Sequence, residues 1–173
     1  MSVICFVVGG PAAGKSTLVK SFLDWKNMTI IEKPKITISK KVCAAGHYTG
    51  GKFDGADTIP YNQDLKTAKY LAKKSFFNSD IVFLDGDRMS NKKVKDFFKP
   101  YNAVCVYLEI DLDTHKLRAA KRKSNQNITW VKGRLTKSKN FFNNFKTENK
   151  IKIDGTLKPE EIQNITSKFL ESF

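Results

Sequence analysis

The stretch Gly9-Gly10-Pro11-Ala12-Ala13-Gly14-Lys15-Ser16-Thr17 has the residue types and spacing to grip a polyphosphate. Glycines at 9, 10 and 14 let successive backbone N–H groups turn toward phosphate oxygens. Lys15 reaches the terminal phosphates, and the Ser16 hydroxyl can ligate Mg²⁺. Pro11, Ala12, Ala13 and Thr17 complete the cradle. The apolar run Val3 to Val8 leads into it and a helix-like segment from Leu18 to Trp25 follows, so a positive helix end faces the same anion. Such a loop is expected to hold a nucleoside triphosphate, with ATP and Mg²⁺ as the pair.

A second acidic element follows the apolar run Ile81 to Leu84, where the chain reads Asp85-Gly86-Asp87-Arg88. One carboxylate at such a strand end can hold Mg²⁺, and Asp85 is assigned that part beside Ser16. The other can take a proton from an attacking hydroxyl. A turn whose aspartates only cap the next helix is the plainer alternative. Further on, Arg118 and Arg122 stand four residues apart on one helical face, so both guanidiniums can point at a single anion. Charge on a moving phosphoryl group is commonly met by such arginines, Lys15 acting with them. His115 reads as a surface or interface histidine.

These groups need a scaffold that brings strand ends together. Periodicity predicts strands near 3–8, 29–31, 36–44, 81–84, 104–109 and 151–153, and helices near 15–25, 62–77, 92–98, 113–123, 129–145 and 159–173. Strands alternating with helices predict an α/β fold: a doubly wound, mostly parallel five-stranded sheet with helices on both faces. Ligands of such sheets sit beyond the carboxyl ends of the strands. One domain, 1–173, is expected, with a basic lid segment around 113–148. The segment Gly46 to Pro60 lacks obvious secondary structure, and long irregular stretches in compact domains are usually functional.

Composition narrows the partners. The chain carries 31 Lys and Arg against 17 Asp and Glu, a formal net charge of +14. A triphosphate alone does not call for this excess, whereas a nucleic acid gains affinity from it by counterion release. The plainer source is a lysine-rich surface shaped by base composition of the genome. Cys5, Cys43 and Cys105 sit in apolar runs without metal-ligand spacing and read as reduced core residues. No run approaches membrane-spanning length and no secretory leader is evident, so a soluble, cytoplasmic protein is expected. An Asn-Lys-x-Asp guanine-reading motif is absent, which argues against a GTPase switch.

The residual class is a small kinase resembling the nucleoside and nucleotide kinases, in which a phosphate loop, an acidic strand end and lid arginines occur in this order. Ile151 to Thr156 with Pro159 resembles their last strand and loop, which implies that Asp154 and Gly155 lie beside the adenine, with Arg118. Two more segments, Gly51 to Thr58 and Trp130 to Asn140, together with Asp85 to Arg88, look like bacteriophage P-loop kinases that phosphorylate 5-hydroxymethyluracil within DNA. The resemblance spans essentially the whole chain. It departs from the family pattern at Lys52, Phe53 and Asp85, which stand in place of Arg, Tyr and Glu.

The resemblance implies double-stranded DNA carrying a modified base as partner, and the residues are compatible with it. Asp54 and Asp57, in a glycine-rich loop, can bind or deprotonate an acceptor hydroxyl; Asp54, Asp57 and Asp87 stay open as the base. Phe53, Tyr48, Tyr61 and Trp130 offer faces for an extruded base, and Lys52, next to Phe53, and Arg88, in the Asp85 to Arg88 turn, are expected to bind substrate with them. Lys132, Arg134, Lys137 and Lys139 can follow a DNA backbone. The alternatives are a nucleoside, nucleoside monophosphate or polynucleotide 5′-hydroxyl acceptor, and an ATP-switched nucleic-acid-binding protein that is no kinase.

Overall fold

The computed structural model describes residues 2–50, 54–75 and 79–173. Among them one sheet of seven strands forms the centre, in the order β2-β3-β4-β5-β1-β6-β7. These are β1 (Val3–Gly9), β2 (Met28–Ile31), β3 (Ile36–Ser39), β4 (Val42–Ala45), β5 (Ile81–Asp85), β6 (Ala103–Glu109) and β7 (Lys150–Asp154). The helices are α1 (Lys15–Ser21), α2 (Asp64–Ser75), α3 (Gly86–Met89), α4 (Lys92–Phe98), α5 (Leu112–Lys121), α6 (Ile128–Asn143) and α7 (Pro159–Leu170).

The expected five-stranded sheet is therefore corrected to seven, and the difference is local. Strands β4, β5, β1, β6 and β7 pair in parallel. To these, β2 and β3 add an antiparallel extension at one edge. The single strand predicted over 36–44 is a hairpin, in which Ser39 faces Val42 across Lys40-Lys41. The first helix also stops earlier than its pattern. Beyond Ser21 the chain turns, and the Asp24 side chain accepts from the Lys26 N–H at 3.1 Å and the Asn27 amide at 3.0 Å.

Alternation along β1 divides the core, since successive side chains of a strand point to opposite faces. Val3, Cys5 and Val7 join Leu18, Val19, Ile162 and Leu170 from α1 and α7, whereas Ile4, Phe6 and Val8 join Ala68, Leu71, Val94 and Phe98 from α2 and α4. Phe6 is fully buried against the rings of Phe98, Phe141 and Phe145. All three cysteines are buried and reduced, as the apolar runs predict. Among the described residues no helix is long and apolar enough to cross a membrane.

Five parallel strands place five carboxyl ends along one rim. Register sets their heights: Val7 pairs with Asp85, Gly9 with Leu108 and Glu109 with Asp154. The loop after β1 thus opens beside Asp85 on one side and beside the β7–α7 connection on the other. That connection is fixed by Gly155, whose N–H donates to Glu109 O at 2.8 Å.

Candidate active site

A cavity of about 520 Å³ opens over this rim, lined in part by Lys15, Ser16, Asp57, Asp85, Asp87 and Arg122. The phosphate loop forms its floor. Gly14 precedes α1 with φ of 97°, a left-handed conformation that glycine adopts without strain. The Lys15 ammonium donates to the carbonyls of Gly9 at 3.0 Å and Gly10 at 2.8 Å. Burial pulls the Lys15 pKa down, Asp85, Asp87 and Asp57 push it back up, and Arg122 works with burial. Three carboxylates and a second cation therefore surround the lysine.

Asp85 is 2% exposed and stands at the N-cap position of α3, yet its side chain does not cap that helix. Its Oδ2 accepts from the Ser16 hydroxyl at 2.9 Å, and its Oδ1 accepts from the Ala56 N–H at 2.9 Å. Burial pushes the carboxyl pKa up, while Ala56, Tyr48, Ser16 and Lys15 pull against it. A Cβ on Gly55 would come within 2.9 Å of both Asp85 oxygens and 3.1 Å of Ser16 Oγ, and Gly55 has φ of 73°. Only glycine lets the loop after β4 close over this oxygen pair without pushing it apart. A hydroxyl and a carboxylate oxygen side by side in a glycine-walled recess fit Mg²⁺. Among the described residues no group of three or more His, Cys, Asp and Glu could hold a metal alone. Phosphate oxygens and waters would supply the remaining ligands.

The three aspartates open as bases differ sharply. Asp54, with a side chain 6% exposed, accepts from the N–H groups of Thr49 at 2.9 Å and Gly50 at 3.0 Å and is ion-paired to Lys20. Asp87 is ion-paired to two cations of α6, Arg134 at 3.1 Å and Lys137 at 3.8 Å. Asp57 lies exposed on a 3-10 turn, Ala56–Thr58, and carries no hydrogen bond or ion pair to any described residue.

Asp54 reads here as the pin of its loop. Burial pushes its pKa up, but the Lys20 ammonium and the Thr49 and Gly50 amides outweigh that and hold it below the ordinary value. A depressed carboxyl stabilises the fold above the unfolded pKa and loses that contribution as pH falls through the folded value. Asp54→Asn is therefore expected to lower unfolding free energy at pH 7 by about 1–3 kcal/mol. In urea titrations, the gap to wild type should shrink below about pH 4. A gap that held constant into acid would mean that the charge of Asp54 does not do the pinning.

Arg118 and Arg122 do not converge on one anion as their spacing predicts. Arg118 donates from Nη1 to Ala12 O at 3.0 Å and from Nη2 to Gly155 O at 2.7 Å, tying the phosphate loop to the β7–α7 connection. Arg122, at the C-cap of α5, is exposed and lines both the main cavity and a second one of about 250 Å³. That second cavity has Ala13, Arg118, Gly155, Leu157, Pro159 and Ile162 on its walls, apolar surface suited to a nucleobase. Asp154 lines neither cavity, and its carboxylate accepts from Thr156 Oγ1 at 2.6 Å and Thr156 N at 2.8 Å.

His115, read as a surface or interface histidine, is buried against the phosphate loop. It is 3% exposed, and its Nδ1 lies 3.0 Å from Pro11 O. The spacing 115, 118, 122 puts one face of α5 against the phosphate loop, and that spacing was available in the sequence. Leu135 of α6 covers the loop from the other side, where a Cβ on Gly10 would come within 2.3 Å of Leu135 Cδ2.

The rim of the main cavity carries two aromatic rings, each backed by an arginine. Arg88 Cζ lies 3.8 Å from the ring centre of Tyr61, which is 81% exposed, and Arg134 Cζ lies 5.1 Å from the ring of Trp130. Tyr48, expected to offer a stacking face, is fully buried instead. The basic cluster of α6 divides by helical spacing: Arg134 and Lys137 line the cavity, while Lys132 and Lys139 are exposed outside it. Lys52 and Phe53 lie outside the described residues.

A family profile described as P-loop Nucleotide Kinase3 matches residues 2–169. No curated protein matches the chain. Among solved structures, a sugar kinase from Janibacter sp. HTCC2649 superposes with TM-score 0.55 at 13% identity, covering 99% of this chain and 95% of that one. Shikimate kinase from Aquifex aeolicus gives 0.54 at 16% identity over 98% and 96% of the two chains. Deoxyadenosine kinase from M. mycoides, with dATP bound, gives 0.53 at 14% identity over 99% and 100%. At such identities these likenesses concern the fold.

Proposed function

The chain belongs to the P-loop nucleotide kinase family, and on that premise we propose that it moves the γ-phosphate of ATP to the 5-hydroxymethyl group of hydroxymethyluracil bases in DNA. One observation carries the reading: the same cavity holds the phosphate loop with its Ser16–Asp85 oxygen pair and, across from them, the arginine-backed rings of Tyr61 and Trp130. The first half suits a Mg²⁺ triphosphate. The second offers π faces for a base drawn out of a strand and cations for its flanking phosphates. The net charge of +14 supports a polyanionic partner.

In this reading the acceptor hydroxyl oxygen bonds to the γ-phosphorus, the bond to the β,γ-bridging oxygen breaks, ADP leaves, and the hydroxyl proton passes to Asp57. Lys15 and Arg122 meet the charge on the moving group, and Arg118 holds the loop and the base-side wall. Residues 113–148 serve as the lid, since α5 and α6 clasp the phosphate loop through His115, Arg118 and Leu135.

The test is transfer of γ-labelled phosphate to matched duplexes containing thymine or 5-hydroxymethyluracil, both with blocked 5′ ends, beside free nucleosides, monophosphates and open 5′ ends. Label confined to the hydroxymethylated duplex is the expected result. Label on small molecules or 5′ ends alone would move the acceptor there. ATP hydrolysis stimulated by DNA without retained label would favour a nucleotide switch.

A further inference from the structure

The second cavity, of about 250 Å³, lies between the phosphate loop, the end of α5 and the β7–α7 connection. A triphosphate seated in the loop would carry its base there. Adenine and guanine share their faces and differ at their edges: adenine pairs a ring-nitrogen acceptor with an amino donor, guanine a carbonyl acceptor with a ring N–H and an amino donor. A protein tells them apart by fixing an N–H or a carboxylate against that edge, so that the wrong base leaves it unpaired. The connection spends the N–H groups it has. Gly155 donates to Glu109 O at 2.8 Å, Thr156 to Asp154 Oδ1 at 2.8 Å, Leu157 to Asp154 O at 3.3 Å and Lys158 to Glu161 Oε2 at 3.0 Å. The next residue, Pro159, has no N–H. A Cβ on Gly155 would come within 2.8 Å of Ile110 Cγ2 and 3.0 Å of Glu109 O, so the connection packs too closely on the end of β6 to turn an N–H outward.

We propose that this site takes its donor nucleotide by the triphosphate and the faces of the base without reading the base edge, so that ATP and GTP serve alike as phosphoryl donors. Among the described residues the walls carry no Asp, Glu, Asn, Gln or His; apart from Thr17 their side chains are apolar or cationic. Two wall carbonyls, Ala12 O and Gly155 O, already accept from Arg118, and a base amino group brought to either would compete with a charged donor. A lone carbonyl elsewhere accepts from the amino group of adenine or of guanine, and without a fixed N–H beside it does not choose between them. The exposed cations Lys121 and Arg122 can meet the imidazole-ring nitrogen that both purines present. What remains is contact with Leu157, Pro159 and Ile162, which depends on ring area. Apolar contact of this kind separates related ligands by roughly 10–200-fold at most, whereas a hydrogen-bonding site rejects the wrong one by roughly 10⁴-fold or more.

This deepens the proposed function and rests on its donor half, the phosphate loop as a triphosphate site; the experiment separates the two and needs neither an acceptor nor a variant. Isothermal titration calorimetry on the wild-type protein, with Mg²⁺ present, gives dissociation constants for non-hydrolysable analogues of ATP and GTP and for inorganic tripolyphosphate. The two analogues are expected to bind within about tenfold of each other, and both tighter than tripolyphosphate, the difference being what base and sugar add. A larger preference for either purine, with both still tighter than tripolyphosphate, would overturn the proposal and mean that a group on the wall reads the edge. Tripolyphosphate binding as tightly as the analogues would remove the base from the second cavity, and the proposal with it, while leaving the phosphate loop in its role. No binding of any of the three would overturn the donor reading itself.

Discussion

Lys15→Ala is expected to lower kcat/KM for phosphoryl transfer by about a thousandfold while leaving plain-duplex DNA binding nearly intact. The ammonium is held by the carbonyls of Gly9 and Gly10, at the point where a terminal phosphate would meet it. Phosphoryl transfer leaves the protein little covalent work, so catalysis depends on positioning and on charge placed in advance. Removing the lysine also leaves Asp57, Asp85 and Asp87 facing one another across the cavity with less compensation. The triphosphate, itself an anion, would then enter a site of the wrong sign. Lys15→Arg should not rescue, because a planar fork does not fit a nest of two carbonyls built for a compact ammonium. Steady-state kinetics with gel shifts at several salt concentrations test this. A parallel loss of DNA binding would mean that the loop holds the nucleic acid rather than the triphosphate.

That prediction rests on residues legible in the sequence, because phosphate binding by a glycine-rich loop is a local property of consecutive backbone N–H groups. Asp85 was legible for the same reason, as the end of an apolar run. The hairpin at Lys40-Lys41 was not. Two-residue hairpin turns are usually marked by Asn-Gly or similar pairs. Here Lys40 takes φ of 49° without such a mark, so one alternating run reads as one strand. That miss accounts for one of the two added strands, whereas the other, β2, coincides with the run predicted near 29–31. Choices among like residues were also hidden: nothing in the spacing of Asp54, Asp57 and Asp87 says that one would be pinned, one paired to α6 and one left unpaired among the described residues. Those differences arise from contacts distant in sequence, Lys20 with Asp54 and Arg134 with Asp87. Arg118 and Arg122 show the same limit, since helical spacing puts both on one face and says nothing of the carbonyls that capture the first.

Asp57→Asn is expected to lower kcat by about a hundredfold to ten-thousandfold, the usual range for a positioned proton acceptor. KM for ATP should stay near the wild-type value. The argument is one of availability. A base must present a lone pair to the acceptor hydroxyl, and Asp54 spends both oxygens on Lys20 and two loop amides. Asp87 is ion-paired through both oxygens, with Arg134 and Lys137, which occupy its carboxylate as long as they stay. Asp57 faces the cavity on a short turn whose backbone is set by Gly55 against the Asp85–Ser16 pair, so its carboxylate is carried beside the metal side without being consumed by it. Asp87→Asn is the decisive comparison. If it costs more in kcat than Asp57→Asn, the proton goes to Asp87, and the cations of α6 must leave it when the acceptor arrives. In that case Arg134→Ala should raise basal activity on a small hydroxyl acceptor by uncovering the carboxylate, whereas under the Asp57 assignment it should only weaken acceptor binding.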